Sequence, residues 1–397
     1  MALANYLRDF KDALIYKNGA AVATLLSYQD ANHSNSQRLL SEFREETIRS
    51  IVFRPWDDLV VAHLILCRHI ADGRVEDAFK EQINVMQGFT KIFQTLKDDN
   101  WPLPLLFAAC RDLRLLAVAA DSKAQSRKTK PHENVEKAAD LLMAVFRVCA
   151  TDIRATMERS KRRGMITIIN QLFKIYFRIN KLPLCKPLIR ALDNADMMQY
   201  FPTSEKVTYN YFLGMKSLFD SDYRKAEELL TYSFLNCPSQ SFKNKQLILI
   251  FLIPVKMLLG HMPKESALQK YRLTDFSPVI RAVKEGNIRS FDLSLEQGKE
   301  FFWKFGIYLI LEKLRVILYR NIFKKVSLIA NTHQIPIQSF RVALQFLQGQ
   351  PIDVEEVHCI LANLIYENKI KGYISIQHQK LVVSKQNPFP SLASVAT

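Results

Sequence analysis

Apolar residues recur at helical spacing almost everywhere before about residue 365, and short polar or proline-containing clusters mark the connections. This pattern predicts a first two-thirds that is nearly all helix. Further on it predicts three helices in succession. Leu314, Leu318, Ile322, Val326 and Ile329 form one apolar stripe, with Arg320 and Lys324 sharing another face. After a break over residues 332–336, Ile337, Phe340, Leu344 and Leu347 form a second stripe. Asp353 and Glu356 then stand at capping-box spacing, ahead of a third stripe of Val354, Val357, Leu361, Leu364 and Ile365. Beyond it the period drops to two. Ile370, Gly372, Ile374 and Ile376 alternate with Lys371, Tyr373 and Ser375, and Leu381 and Val383 alternate with Lys380, Val382 and Ser384. With Gln377, His378 and Gln379 between the two runs, this predicts a β-hairpin. Three helices followed by a hairpin are the layout of a winged helix, a variant of the helix-turn-helix.

An internal spacing adds to the picture. Leu213-Gly214 is followed by Ala226, Leu230 and Pro238, which fits the tetratricopeptide pattern L-G…A-x3-F…P with Leu230 in the aromatic slot. Small Gly214 and Ala226 would let two helices approach closely, and Pro238 would stop the second. An ordinary antiparallel helix pair is the competing reading; five features in register favour the repeat. Pairs of similar size precede it, at residues 166–179 with 184–192, and follow it, at 246–259 with 264–271. The expected organisation is an N-terminal helical region over 1–130, tetratricopeptide-like repeats over 131–305, and a winged-helix part with a C-terminal tail over 306–397. The fold class is all-α: a helical-repeat solenoid running into a winged helix with a small β-hairpin.

Charge and composition narrow the function. The 397 residues carry 55 Lys+Arg against 39 Asp+Glu, a net +16, which points to nucleic acid or a strongly acidic protein as partner. Only 11 glycines occur, which counts against a nucleotide-binding α/β fold. From residue 301 onward 11 basic residues face 5 acidic ones, a net +6. Two further basic clusters are a loop over 122–131 and the run Lys161-Arg162-Arg163. The loop reads first as solvated surface and second as a weak nuclear-import signal. Residues 1–10 already contain Arg8 and Asp9, unlike a secretory leader, and the longest apolar run, 247–255, falls far short of the ~20 residues of a membrane span. An intracellular protein without membrane insertion is expected.

Signatures of catalysis are missing: there is no P-loop, G-x-G-x-x-G, G-x-S-x-G or H-E-x-x-H. The six cysteines lack any C-x-x-C pair and read as buried thiols. His63 with Cys67, and His358 with Cys359, supply too few ligands for a metal site. A non-enzymatic protein without cofactor is expected.

A helical-repeat array ending in a winged helix resembles the PCI domains of proteasome-lid, signalosome and translation-initiation subunits. The blocks Asn170-Gln-Leu-Phe-Lys-Ile-Tyr-Phe177, Cys185-Lys-Pro-Leu-Ile-Arg190 and Pro254-Val-Lys-Met-Leu-Leu-Gly-His-Met-Pro263 narrow this. With Gly372-Tyr-Ile-Ser375 and Lys380-Leu-Val-Val-Ser-Lys-Gln-Asn-Pro-Phe-Pro390, they resemble the PCI-domain-containing protein two family over about residues 135–390. The first 130 residues offer no comparable motif. That family is the PCI subunit of the nuclear messenger-RNA transcription-and-export complex two. The resemblance implies a scaffold role in the nucleus and also the cytoplasm, with association at the nuclear pore. It also implies two protein partners: a large export scaffold related to germinal-centre-associated nuclear protein, and a small acidic disordered subunit shared with the proteasome lid.

Lys369, Lys371, Lys380 and Lys385 lie on or beside the predicted wing, and Arg341 and Lys324 on the preceding helices. These six are the candidate phosphate contacts for RNA or DNA. Tyr373 and His378 are candidates for stacking on a base. The third helix exposes Glu355, Glu356 and Glu367, which repel phosphate, so backbone contact without base readout is expected. The resemblance to PCI domains also implies pairing through the winged helix, which makes Val382, Tyr373 and Ile376 the candidate partner contacts. A purely structural subunit of another assembly, of proteasome-lid or signalosome type, is the alternative.

Overall fold

Apolar stripes at helical spacing do fold as helices throughout, and the one sheet among the described residues is a three-stranded sheet near the C-terminus. The computed structural model describes residues 2–30, 37–96, 100–124, 131–152, 156 and 159–395. Contacts divide the chain into two compact units, 1–209 and 210–397, with the division inside the helix Thr203–Phe219. The apolar pattern and repeat spacing suggested divisions at 130 and 305 instead. Packing runs through both points: Leu103–Ala124 lies against Glu133–Ala150, and Ile288–Gln297 against Tyr308–Glu312.

In the first unit the helices Trp56–Ala71, Val75–Thr95, Leu103–Ala124, Glu133–Ala150 and Met165–Arg178 each pack on the next. Stacked Phe89 and Phe93, fully buried Leu106 and Leu113, and Leu142 fill the space between them. Buried polar groups fasten the helix ends. His132 occupies an N-cap position in the left-handed region without a capping side chain. Asp121 of the preceding helix serves instead, accepting from the backbone N–H groups of Asn134 and Val135 at 3.0 and 3.1 Å. Lys161, expected in a surface basic cluster, is buried: its Nζ donates to the Phe93 carbonyl and lies 4.7 Å from the centre of the Phe93 ring. The other basic cluster falls mostly at 125–130, outside the described residues; Lys123 at its start donates to the Gly73 carbonyl.

The tetratricopeptide-like spacing forms a helix pair whose contacting part, from Asn210 on, lies in the second unit: Thr203–Phe219 and Tyr223–Asn236. Gly214 sits directly on Leu230, so that a Cβ there would come 2.7 Å from Leu230 Cγ. Ala226 is fully buried. Enlarging Ala226 to leucine is expected to cost about 1–3 kcal/mol through overpacking. Chemical denaturation of the full chain measures it, and an unchanged midpoint would show that the helix pair has slack at this position.

The winged helix comprises Arg315–Ala330, strand β1 (Gln334–Pro336), Ile337–Gln348, Val354–Tyr366, β2 (Gly372–Ser375) and β3 (Lys380–Val383). Strand order is β1-β3-β2, all antiparallel, with Leu381 of central β3 opposite both Ile335 and Ile374. Phe323 and Phe340 meet edge to face at 4.9 Å between centroids beneath it. The hairpin is as expected, but β1 replaces the expected break at 332–336. Ile335 is buried while Gln334 and Pro336 face out, and an edge position tolerates the missing N–H of Pro336.

Several expected positions shift. Ile329, assigned to the apolar stripe, is 85% exposed. Ile376 belongs to the turn at 376–379 and is exposed. Asp353 takes the N-cap position without making a side-chain capping bond. Cys359 is exposed, while the other five cysteines are buried.

Arg320 differs most. It is buried rather than sharing a surface with exposed Lys324, and it donates from Nη2 to the carbonyls of Phe389 and Pro390 at 3.1 and 2.8 Å. The tail after β3 is thereby strapped to the first helix of the winged helix. Two further contacts extend the strap: Lys371 N–H donates to the Pro388 carbonyl, and Leu392 packs on Gly260.

Candidate nucleic-acid interface

Side chains alternate across a strand, so burying Leu381 and Val383 forces Lys380 and Val382 onto the opposite face. Register then assembles that face. Val382 stands opposite Gln334 on one side and Tyr373 on the other, and Lys380 stands opposite Pro336 and Ser375. Lys371 extends the row from the N-terminal end of β2, where its carbonyl accepts from Ser384 N–H at 2.8 Å. Two lysines therefore bracket a centre of half-buried Val382 and 63% exposed Tyr373. From strand geometry the two lysine positions are roughly 14 Å apart. Such a face combines phosphate-binding cations with an aromatic surface on which a base or a partner side chain can stack.

The six candidate cations do not act alike. Lys371, Lys385 and Lys324 are exposed, and Lys380 is half-buried. Lys369 pairs with Glu367. Arg341 donates from Nε to the Ile352 carbonyl at 2.9 Å, which fastens the connection between the second and third helices. Its first task is structural. Among the partner candidates, Tyr373 and Val382 share the outer face, while Ile376 projects from the neighbouring turn. Gln334 belongs to the face through β1, which local periodicity did not reveal. Tyr366, 87% exposed at the end of the third helix, was also missed; its place at the last turn of an amphipathic helix is the only signal for it.

Glu355, Glu356 and Glu367 are exposed on and just after the third helix. A helix that opens on two carboxylates is repelled by phosphates lining a major groove, so the cationic wing face is the better contact.

Among the described residues no three His, Cys, Asp or Glu side chains converge on a point. Cys67 Sγ lies 3.6 Å from His63 Nε2, both buried, and burial, with Asp112 adding, pushes the thiol up to about 12. That keeps the thiol protonated at neutral pH. Among the described residues no helix is long and apolar enough to cross a membrane.

The model of the PCI domain matches residues 286–385, a span that contains the whole sheet. PCI domain-containing protein 2 of Danio rerio is 47% identical over 397 residues, covering 100% of this chain and 99% of the relative. PCI domain-containing protein 2 homolog of Drosophila melanogaster is 46% identical over 392 residues, 98% of each. Protein CSN12 homolog of Neurospora crassa is 32% identical over 360 residues, covering 80% and 77%. With the helix pair, the winged helix and near-complete coverage in agreement, the chain belongs to the PCI domain-containing protein 2 family.

Proposed function

We propose that the chain is a non-enzymatic scaffold subunit of a nuclear messenger-RNA export assembly. It docks on a larger PCI-type partner and presents its wing to RNA or DNA without reading sequence. A small acidic disordered subunit completes the assembly, for which the net +16 is electrostatically suited. The observation that supports this reading best is the outer sheet face, where Lys371 and Lys380 bracket Tyr373 and Val382. If about five phosphates of a single strand are neutralised, affinity falls roughly 100-fold between 50 and 200 mM salt. Nucleic-acid binding by the complex that lacks this dependence would remove the electrostatic basis of the proposal.

The docking arm has its own test. Val382 lies on the central strand between Gln334 and Tyr373. Val382→Asp places a charge there without entering the buried face, so the chain is expected to fold and to lose co-purification with the large PCI-type partner. Co-purification at the parent level would take this face out of the partner contact.

A purely structural subunit of another PCI assembly is the second reading, and a specific observation favours it. Lys369 and Arg341 already have intramolecular partners, which thins the cationic surface. Absence of nucleic-acid binding by the complex even at low salt, with partner binding intact, would select it.

A further inference from the structure

Four basic side chains of the first unit meet where the helices Leu103–Ala124 and Met165–Arg178 pack together. Arg111 and Arg114 are three residues apart on one helix, and Lys174 and Arg178 four apart on the other, so each pair shares a face. Arg114 Nε donates to Gln171 Oε1 at 2.7 Å, tying the two faces together. Arg111 is satisfied by Asp112 and by Ser27 Oγ, both at 3.3 Å. Among the described residues no carboxylate lies within ion-pair distance of Arg114, Lys174 or Arg178.

Arg114 and Lys174 are half-buried. Burial is the largest cause lowering the pKa of both; Arg178 and Arg111 lower Arg114 further, and Arg114 lowers Lys174. Tyr28 acts in the opposite sense on Arg114, and Glu205 on Lys174, but the Glu205 carboxylate already accepts from Asn170 Nδ2 at 2.6 Å. Gathering like charges around half-buried Arg114 and Lys174, beside exposed Arg111 and Arg178, works against folding when the one carboxylate among the described residues in ion-pair distance, Asp112, already serves Arg111. A bound anion reverses that balance. Beside the seam opens a cleft of about 610 Å³ that has Arg111 and Gln171 on its wall, Phe107 as an apolar side, and Asp30 and Glu205 at other points of its lining. That volume lies within the usual range for a small-ligand site.

We propose that this seam binds a phosphomonoester dianion, carried either by a small molecule or by a phosphorylated side chain. Two negative charges on one compact group answer several cations converging on one place, and the three terminal oxygens suit guanidinium forks. An extended polyanion is disfavoured because Asp30 and Glu205 line the same cleft. Phe107 offers an apolar wall for whatever bears the phosphate.

Calorimetric titration of the full chain tests the proposal with four probes: inorganic phosphate, a nucleoside monophosphate, a phosphoserine peptide, and the same peptide with glutamate in place of phosphoserine. At least one phosphomonoester probe is expected to bind, the glutamate peptide far more weakly, and Lys174→Gln and Arg178→Gln each to weaken binding by roughly tenfold. Lys174→Gln is also expected to raise the melting temperature of the unliganded chain, since it removes repulsion, whereas a cluster that only holds the helices together would melt lower. Binding of the nucleoside monophosphate alone points to a small-molecule source, and binding of the phosphopeptide alone to a modified protein. The absence of binding by all three phosphate probes, equal binding of the glutamate peptide, or unchanged affinity in both variants overturns the proposal. Reversing Lys371 and Lys380 to glutamate leaves these titrations unchanged, so failure here and failure of the nucleic-acid reading are separate results.

Discussion

Arg320→Ala is expected to destabilise the chain by about 3 kcal/mol and to lower its melting temperature by roughly 6–12 °C. Two carbonyls, those of Phe389 and Pro390, lose their donor in a buried setting, and orphaned buried acceptors cost ~1–3 kcal/mol each. The guanidinium also lies over the Phe389 ring, 5.8 Å from its centre, so packing is lost along with charge. Part of this is offset. Arg320 Nε has no partner among the described residues, and removing a partly compensated buried cation relieves its desolvation. Arg320→Lys retains the charge but cannot span two carbonyls with a planar fork, so it should fall between parent and alanine. Thermal unfolding of the three proteins, with proteolysis of the tail as a second readout, measures this. Equal melting and an equally protected tail in Arg320→Ala would show that the strap is not held by this residue.

The same arginine shows what the chain pattern reveals and what it hides. Helices of the winged helix were legible because their stripes are local: Val357, Leu361 and Leu364 repeat at helical spacing and are all buried. The hairpin was legible by its alternation. Arg320, however, is fixed by carbonyls 69 and 70 residues further on, and Lys161 by a carbonyl 68 residues earlier, and no local period carries such distances. Strand β1 was hidden for another reason. Three residues ending in proline read as a turn, and only the buried row of Leu381 makes them a strand. At the candidate interface, residue types identified the cations, but only coordinates separate exposed Lys371 from Lys369, paired with Glu367, and from Arg341, bonded to a carbonyl. The phosphate seam was illegible altogether, because Arg111 and Arg114 lie on one helix and Lys174 and Arg178 on another.

Reversing Lys371 and Lys380 together to glutamate is expected to have the larger effect on function. Both side chains leave the sheet on its outer face, so neither substitution touches the inner row of buried Ile335 and Leu381 and half-buried Ile374. Each lost phosphate contact removes about 0.7 from the log–log salt slope on a single strand, and two contacts account for roughly a 25-fold loss at ~0.1 M salt. The new carboxylates add repulsion to that loss. Because backbone contacts carry no sequence information, strands of unrelated sequence should weaken alike. The decisive measurement is fluorescence anisotropy of labelled RNA and DNA strands against the full chain in complex with its PCI-type partner, at several salt concentrations. The account predicts uniform weakening and a slope smaller by about 1.4 for the double variant, with helicity unchanged by circular dichroism. An unchanged slope and affinity with the fold intact would contradict it, and would take the wing out of the nucleic-acid contact.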